Sequence, residues 1–232
     1  MSAFQRCRAD LEPNPDCSFC PRLSEFRNSL RAIQPDWHNA PVPSFGASDA
    51  RLLVVGLAPG LRGANRTGRP FTGDFAGHLL YETLIDFGFA TGAYAESSSD
   101  SLRLLSCLIT NAVRCVPPQN KPAPAEIKNC RSFLRITIAA LCQLKVVVAL
   151  GRVAHDSILC AFEVKPAAFP FAHGAEHVLG AEASPHSRRR RAKVVTIIDS
   201  YHCSRYNTNT GVLTRDMFRM VFAKAREKLQ CP

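Results

Sequence analysis

Four short apolar runs, parted by stretches of helical spacing, constrain this chain more than any other feature. They occupy residues 51–56, 104–110, 145–150 and 194–198. Unbroken apolar runs of this length suit strands covered on both faces. Between them, apolar residues recur at helical intervals over 76–87, 124–141 and 152–162, with further helical segments at 22–33 and 212–229. Strands alternating with helices require crossover connections. The expected fold is therefore α/β, three layers (α/β/α) around a central four-stranded parallel sheet. Ligands of such folds sit beyond the C-terminal ends of the strands.

The charge narrows the partner. Lys and Arg number 29 against 19 Asp and Glu, a formal charge of +10, which points to a polyanion and above all to nucleic acid. No stretch reaches the roughly 18 uncharged apolar residues of a membrane span, and Met1-Ser2-Ala3-Phe4-Gln5-Arg6 lacks an apolar signal core. The expectation is a cytoplasmic monomer with no membrane partner and reduced thiols. At 232 residues the chain is expected to form one domain, 1–232.

Three loops should converge at the strand ends: 56–74, 111–121 and 200–211. The first contains five glycines, three arginines, Phe71 and Asp74, and glycine lets backbone approach a ligand closely. Ten cysteines are present. Cys17 and Cys20 form a C-x-x-C pair in an irregular, Pro-rich segment, Cys115 follows the second apolar run, and Cys130 lies on the next helix. Four thiolates so placed can enclose one metal group. The spacing suits a [4Fe-4S] cluster and a tetrahedral zinc equally. Cys107, Cys142 and Cys160 read as core residues. His173, His177 and His186 make no convincing metal set, and the run Arg188-Arg189-Arg190-Arg191 reads either as a phosphate-contacting segment or as a solvated loop.

Taken together, Gly56-Leu57-Ala58-Pro59-Gly60, Gly68-Arg69-Pro70-Phe71-Thr72-Gly73-Asp74, Thr110-Asn111-Ala112-Val113-Arg114-Cys115 and Tyr201-His202-Cys203-Ser204 resemble the uracil-DNA glycosylase superfamily. The likeness is closest to its fifth family, the broad-specificity iron–sulfur branch, and runs over about 17–214. The resemblance implies a DNA repair glycosylase that hydrolyses the N-glycosidic bond of uracil, and of other deaminated or modified bases such as hypoxanthine and ethenocytosine, in double-stranded DNA. An abasic site remains and the strand stays uncut.

On that resemblance the expected roles are as follows. Asp74 orients the attacking water, His202 stabilises the leaving base and Asn111 contacts the base edge. Gly56, Leu57, Ala58, Pro59, Gly60 and Phe71 shape the substrate pocket, with Phe71 stacking on the extruded base. Asn65, Arg66, Ser204, Arg205 and Asn207 contact DNA. Cys17, Cys20, Cys115 and Cys130 hold a [4Fe-4S] cluster that ties down residues 1–50. Asp74 also stands where it can cap the following helix. Other branches carry Asp, Asn or Glu where this chain has Leu57, Ala58 and Pro59, and proline where it has Cys203. Two rival readings remain: a uracil-restricted enzyme of the fourth family, and a non-catalytic iron–sulfur protein that binds nucleic acid.

Overall fold

The apolar runs pair side by side, as their composition demands. The computed structural model describes residues 12–180 and 194–230; Arg188–Arg191, His186, Cys7 and Cys231 lie outside these. Its strands are β1 (Phe45–Gly46), β2 (Leu52–Gly56), β3 (Ala90–Thr91), β4 (Arg103–Leu104), β5 (Cys107–Asn111), β6 (Val146–Leu150), β7 (Glu176–Leu179) and β8 (Val195–Ser200). The helices are α1 (Pro21–Ile33), α2 (Ala64–Thr67), α3 (Phe75–Asp86), α4 (Pro124–Ala140), α5 (Arg152–Ala161), α6 (Arg205–Asn209) and α7 (Arg215–Gln230).

The central sheet has six strands in the order β1-β5-β2-β6-β8-β7, not the four expected. The four expected strands form its parallel centre, while β1 and β7 add antiparallel edges. A second correction concerns residues 104–110. Ser106 takes a left-handed φ of 50°, which splits that run into the end of β4 and the start of β5. β3 and β4 pair apart from the main sheet.

Every residue of β2, β5 and β6 is buried because helices cover both faces. On one face, Leu80 and Leu84 of α3 and Phe218 and Phe222 of α7 pack on Val54, Val148 and Ile198. On the other, Leu134 and Ile138 of α4 and Ile158 of α5 pack on Leu53, Val147 and Ile197. Neighbouring residues of one strand thus serve opposite layers, and each such side chain contributes about 1.5–3 kcal/mol when fully buried. Among the described residues no helix is long and apolar enough to cross a membrane.

The register sets up the site. Gly56 lies opposite Asn111, and Leu150 opposite Ser200. The parallel strands therefore end together along one rim, and the loops after β2, β5 and β8 leave from it.

Candidate active site

The loop after β2 is shaped by tight contacts. A Cβ on Gly56 would stand 2.4 Å from Asn111 Oδ1 and 2.5 Å from Phe71 Cζ, so only glycine lets these side chains meet over the strand end. Phe71 has φ 52°, a left-handed conformation that costs an aromatic residue about 1–3 kcal/mol. Its ring lies 6.1 Å from the His202 imidazole, at an interplanar angle of 27°.

Asp74 ends this loop and caps α3. Gly77 N donates to its Oδ1 at 3.1 Å, the capping role that its position allowed. Its other oxygen, Oδ2, lies 2.7 Å from where a Cβ on Gly63 would stand, so that glycine too leaves room for the carboxylate. Burial raises the pKa of Asp74 above the usual carboxylate range, against the pull of the Gly77 and Ala76 amides.

Phe71, Asp74, Asn111 and His202 line one cavity of about 400 Å³, together with Leu57, Ala58, Gly60, Ser204 and Arg205. That volume falls in the range of small-molecule sites, about 300–1,000 Å³. Asn111 Oδ1 is buried and has no hydrogen-bond partner among the described residues. Such an orphan acceptor costs about 1–3 kcal/mol and is relieved by a ligand N–H. Burial pushes the His202 pKa down to about 4, so its imidazole is neutral at physiological pH. One ring nitrogen then donates and the other accepts.

Several expected residues lie elsewhere. Pro59 is buried outside the cavity wall, and Gly56 shapes the wall from behind. Asn65, expected to reach DNA, is 1% exposed and donates through Nδ2 to Asn39 Oδ1 at 2.9 Å; it joins two loops inside the protein. Asn207 donates to the carbonyl of His202 at 2.9 Å, so it braces that backbone. Arg66 is exposed, and Arg205 lies over the Phe75 ring at the cavity mouth, 5.3 Å from its centroid.

The structure adds residues that spacing did not reveal. Asn120 lines the cavity from the loop after β5, with φ 57° following φ 56° at Gln119. The available signal in the sequence was an Asn, a residue that tolerates left-handed backbone, closing the Pro117-Pro118-Gln119-Asn120 turn. Tyr206, 73% exposed, stands on α6 two residues beyond the cavity-lining Ser204. Behind β8, Asp199 accepts from or pairs with His155 Nδ1 at 2.7 Å and His177 Nε2 at 3.0 Å. These three form a set of possible metal ligands that includes only one of the histidines considered from sequence.

The cysteines make a separate corner. Cys17, Cys20, Cys115 and Cys130 line one small cavity with Leu23, Arg27 and Phe133. The Arg114 amide donates to Cys130 Sγ at 3.2 Å, and the Arg27 guanidinium to Cys115 Sγ at 3.7 Å. Arg27 is buried and its Nε has no partner among the described residues. Burial pushes the Cys115 thiol up to about 12 and Cys130 to about 11. Metal binding there would have to displace those protons. Four sulfurs, directed donors and a buried guanidinium with no carboxylate partner among the described residues fit a thiolate-held group of net negative charge.

Comparison with known proteins gives a consistent picture. The sequence profile of the Uracil DNA glycosylase superfamily matches residues 43–226. The chain is 42% identical over 216 residues to the Type-5 uracil-DNA glycosylase of Thermus thermophilus, covering 90% of this chain and 92% of that protein. It is 35% identical over 220 residues to the Type-5 uracil-DNA glycosylase of Pyrobaculum aerophilum, covering 93% and 90%. Similarity to the Type-4 uracil-DNA glycosylase of Archaeoglobus fulgidus, 35% over 125 residues, covers 53% of this chain and 55% of that protein.

Proposed function

Since this chain belongs to the uracil-DNA glycosylase superfamily, we propose that it is a DNA repair enzyme that hydrolyses the bond between uracil and deoxyribose and leaves an abasic site. One observation carries the reading: a carboxylate, an imidazole, an amide oxygen without a partner among the described residues and an aromatic ring line one cavity with room for an extruded nucleotide base. The coverage of nine-tenths of this chain by Type-5 relatives, against about half by a Type-4 one, favours the fifth-family reading over the fourth.

The chemistry follows from the walls. The target carbon is shielded inside the duplex, so the nucleotide must first leave the stack at a cost of a few kcal/mol. In the cavity Phe71 stacks on the base and Asn111 Oδ1 accepts an N–H from its edge. As the glycosidic bond breaks, its electron pair leaves with the base. A neutral His202 donates a hydrogen bond to the base oxygen where that charge collects. Asp74 orients water toward the cationic sugar, the water oxygen bonds to the sugar carbon, and a proton passes to the carboxylate. Leu57 and Ala58 offer apolar wall rather than fixed polar contacts, which supports acceptance of hypoxanthine and ethenocytosine.

Ser204, Arg205 and Arg66 are the phosphate contacts in this reading, and Tyr206 fills the gap left in the stack. Cys17, Cys20, Cys115 and Cys130 would hold a [4Fe-4S] cluster. Through these residues such a group would tie the segment before α1 to the β5–α4 connection and to α4; hydrolysis itself transfers no electrons.

Incubation with a uracil-containing duplex should yield free uracil and alkali-labile abasic sites. Binding without release would leave a nucleic-acid-binding protein instead. A hypoxanthine duplex separates the fifth-family reading, which predicts release, from the fourth. A brown preparation with several irons per chain supports the cluster, and a colourless one containing zinc overturns it.

A further inference from the structure

The loop that carries Phe71 and Asp74 lines the cavity with those two side chains and is held by contacts elsewhere. Away from the cavity lining, the loop meets a buried ion pair whose acidic member lies in a stretch without any recognisable motif. Arg69 is 4% exposed. Its NH1 and NH2 donate to Asp100 Oδ1 and Oδ2 at 2.7 and 2.8 Å, and its Nε to Thr72 Oγ1 at 2.7 Å. The rings of Phe45, Tyr81 and Tyr94 wall the guanidinium at 5.0, 5.5 and 5.9 Å. Asp100 is fixed in turn, accepting from the amides of Ala95 and Leu102 at 2.9 and 3.1 Å.

The same surroundings grip the loop backbone residue by residue. The Tyr81 hydroxyl donates to Pro70 O at 2.5 Å, the Tyr94 hydroxyl to Phe71 O at 3.2 Å, and the Thr67 hydroxyl to Thr72 O at 3.1 Å. Gly73 N donates to the Tyr94 oxygen at 3.2 Å. The left-handed Phe71 therefore sits between carbonyls held from one side, and Asp74 follows three residues later. Tyr94 and Asp100 both come from the connection between β3 and β4, and neither they nor Arg69 lines the cavity. A strained residue persists only where its surroundings over-determine it, and here one connecting segment supplies most of the restraint.

We propose that Asp100, acting through Arg69, is a positioning residue for base release: with Tyr94 it holds residues 69–74 so that Phe71 and Asp74 face the extruded nucleotide together. This rests on the glycosylase reading above. It adds that the β3–β4 connection, which belongs to no recognised motif, contributes to the turnover rate by holding a loop that does.

The test separates position from stability. Asp100→Asn leaves a buried guanidinium without its counter-charge and is expected to lower both melting temperature and kcat. R69M/D100L removes both charges, a change that commonly restores stability in buried pairs. In that variant kcat for uracil release should stay about 10- to 100-fold below wild type, the scale of a misplacement near 1 Å, while KM for duplex changes less than about threefold. Amides of 69–77 should exchange faster with deuterium. Tyr94→Phe, which deletes one hydroxyl, should reproduce a smaller loss of kcat with an unchanged melting temperature. Wild-type kcat in folded R69M/D100L, or in Tyr94→Phe, overturns the proposal. If the wild-type protein itself releases no uracil, the glycosylase reading fails and takes the catalytic claim with it; the exchange data alone then report whether the pair fixes the loop.

Discussion

Around the base cavity, the walls hang from strands β2 and β5, in which every residue is buried, and from loops tied by paired side chains. Around the cysteines, the apolar cluster among the described residues has three buried members, Leu23, Val113 and Cys130. The first region is stiff because topology and hydrogen bonds leave it no alternative. The second joins an irregular segment to a loop and to the second turn of α4, around a small apolar cluster. The contrast teaches that a candidate reaction centre and a four-cysteine corner can solve the same problem, fixing chain segments far apart in sequence, by different physics. One uses sheet register and satisfied polar groups. The other has the donors for a metal cross-link.

The contrast is sharpened most by Asp74→Asn. Asparagine still caps α3, so the melting temperature should stay within about 2 °C, whereas single-turnover uracil release should fall about 10²- to 10⁴-fold. A large drop in melting temperature would mean that the carboxylate matters chiefly to the fold. Cys17→Ser/Cys20→Ser should show the reverse pattern. Loss of a cross-link closing so long a loop is worth on the order of 2–4 kcal/mol by analogy with disulfides, read as a lower midpoint in denaturant, with turnover per folded molecule within about threefold of wild type. Abolished turnover in a still-folded variant would break the distinction between the regions.

The smallest effect is in pH. The folded His202 pKa of about 4 lies below its ordinary value of 6.5, so the unfolded chain takes the proton first. The stability tied to His202 is complete above pH 6.5 and declines as pH falls toward 4, by less than a fully buried group would give because the side chain is half-buried. His202→Gln should flatten that decline in melts between pH 7 and 4. Base release should be level from pH 6 to 8 and fall on the acid side as Asp74, its pKa raised, takes up a proton. An inflection near 6.5 that vanishes in His202→Gln would contradict a neutral imidazole.

The parallel centre of the sheet was legible because each strand is rich in Leu, Ile and Val and ends at or just before Gly, Asn or Ser. The edges were not: β1 has two residues and β7 alternates weakly within a loop of Pro, Gly and His. α2 and α6, with four and five residues, fall below what helical periodicity can register. The convergence of Phe71, Asp74, Asn111 and His202 on one cavity could be anticipated from the segments that carry them. The inward turn of Asn65 could not, since a short amide side chain in a Gly-Arg loop reads equally as surface or as a loop staple. Asp100 was invisible for a plainer reason: it sits in Glu96-Ser97-Ser98-Ser99-Asp100-Ser101, which has the composition of a solvated turn.

Asp74 spends one oxygen on the first turn of α3 and presents the rest of its carboxylate to the cavity. Fraying of that turn on warming would release the carboxylate long before the buried strands part. Catalytic output should thus fade at temperatures where circular dichroism still reports an intact molecule, and should return on cooling.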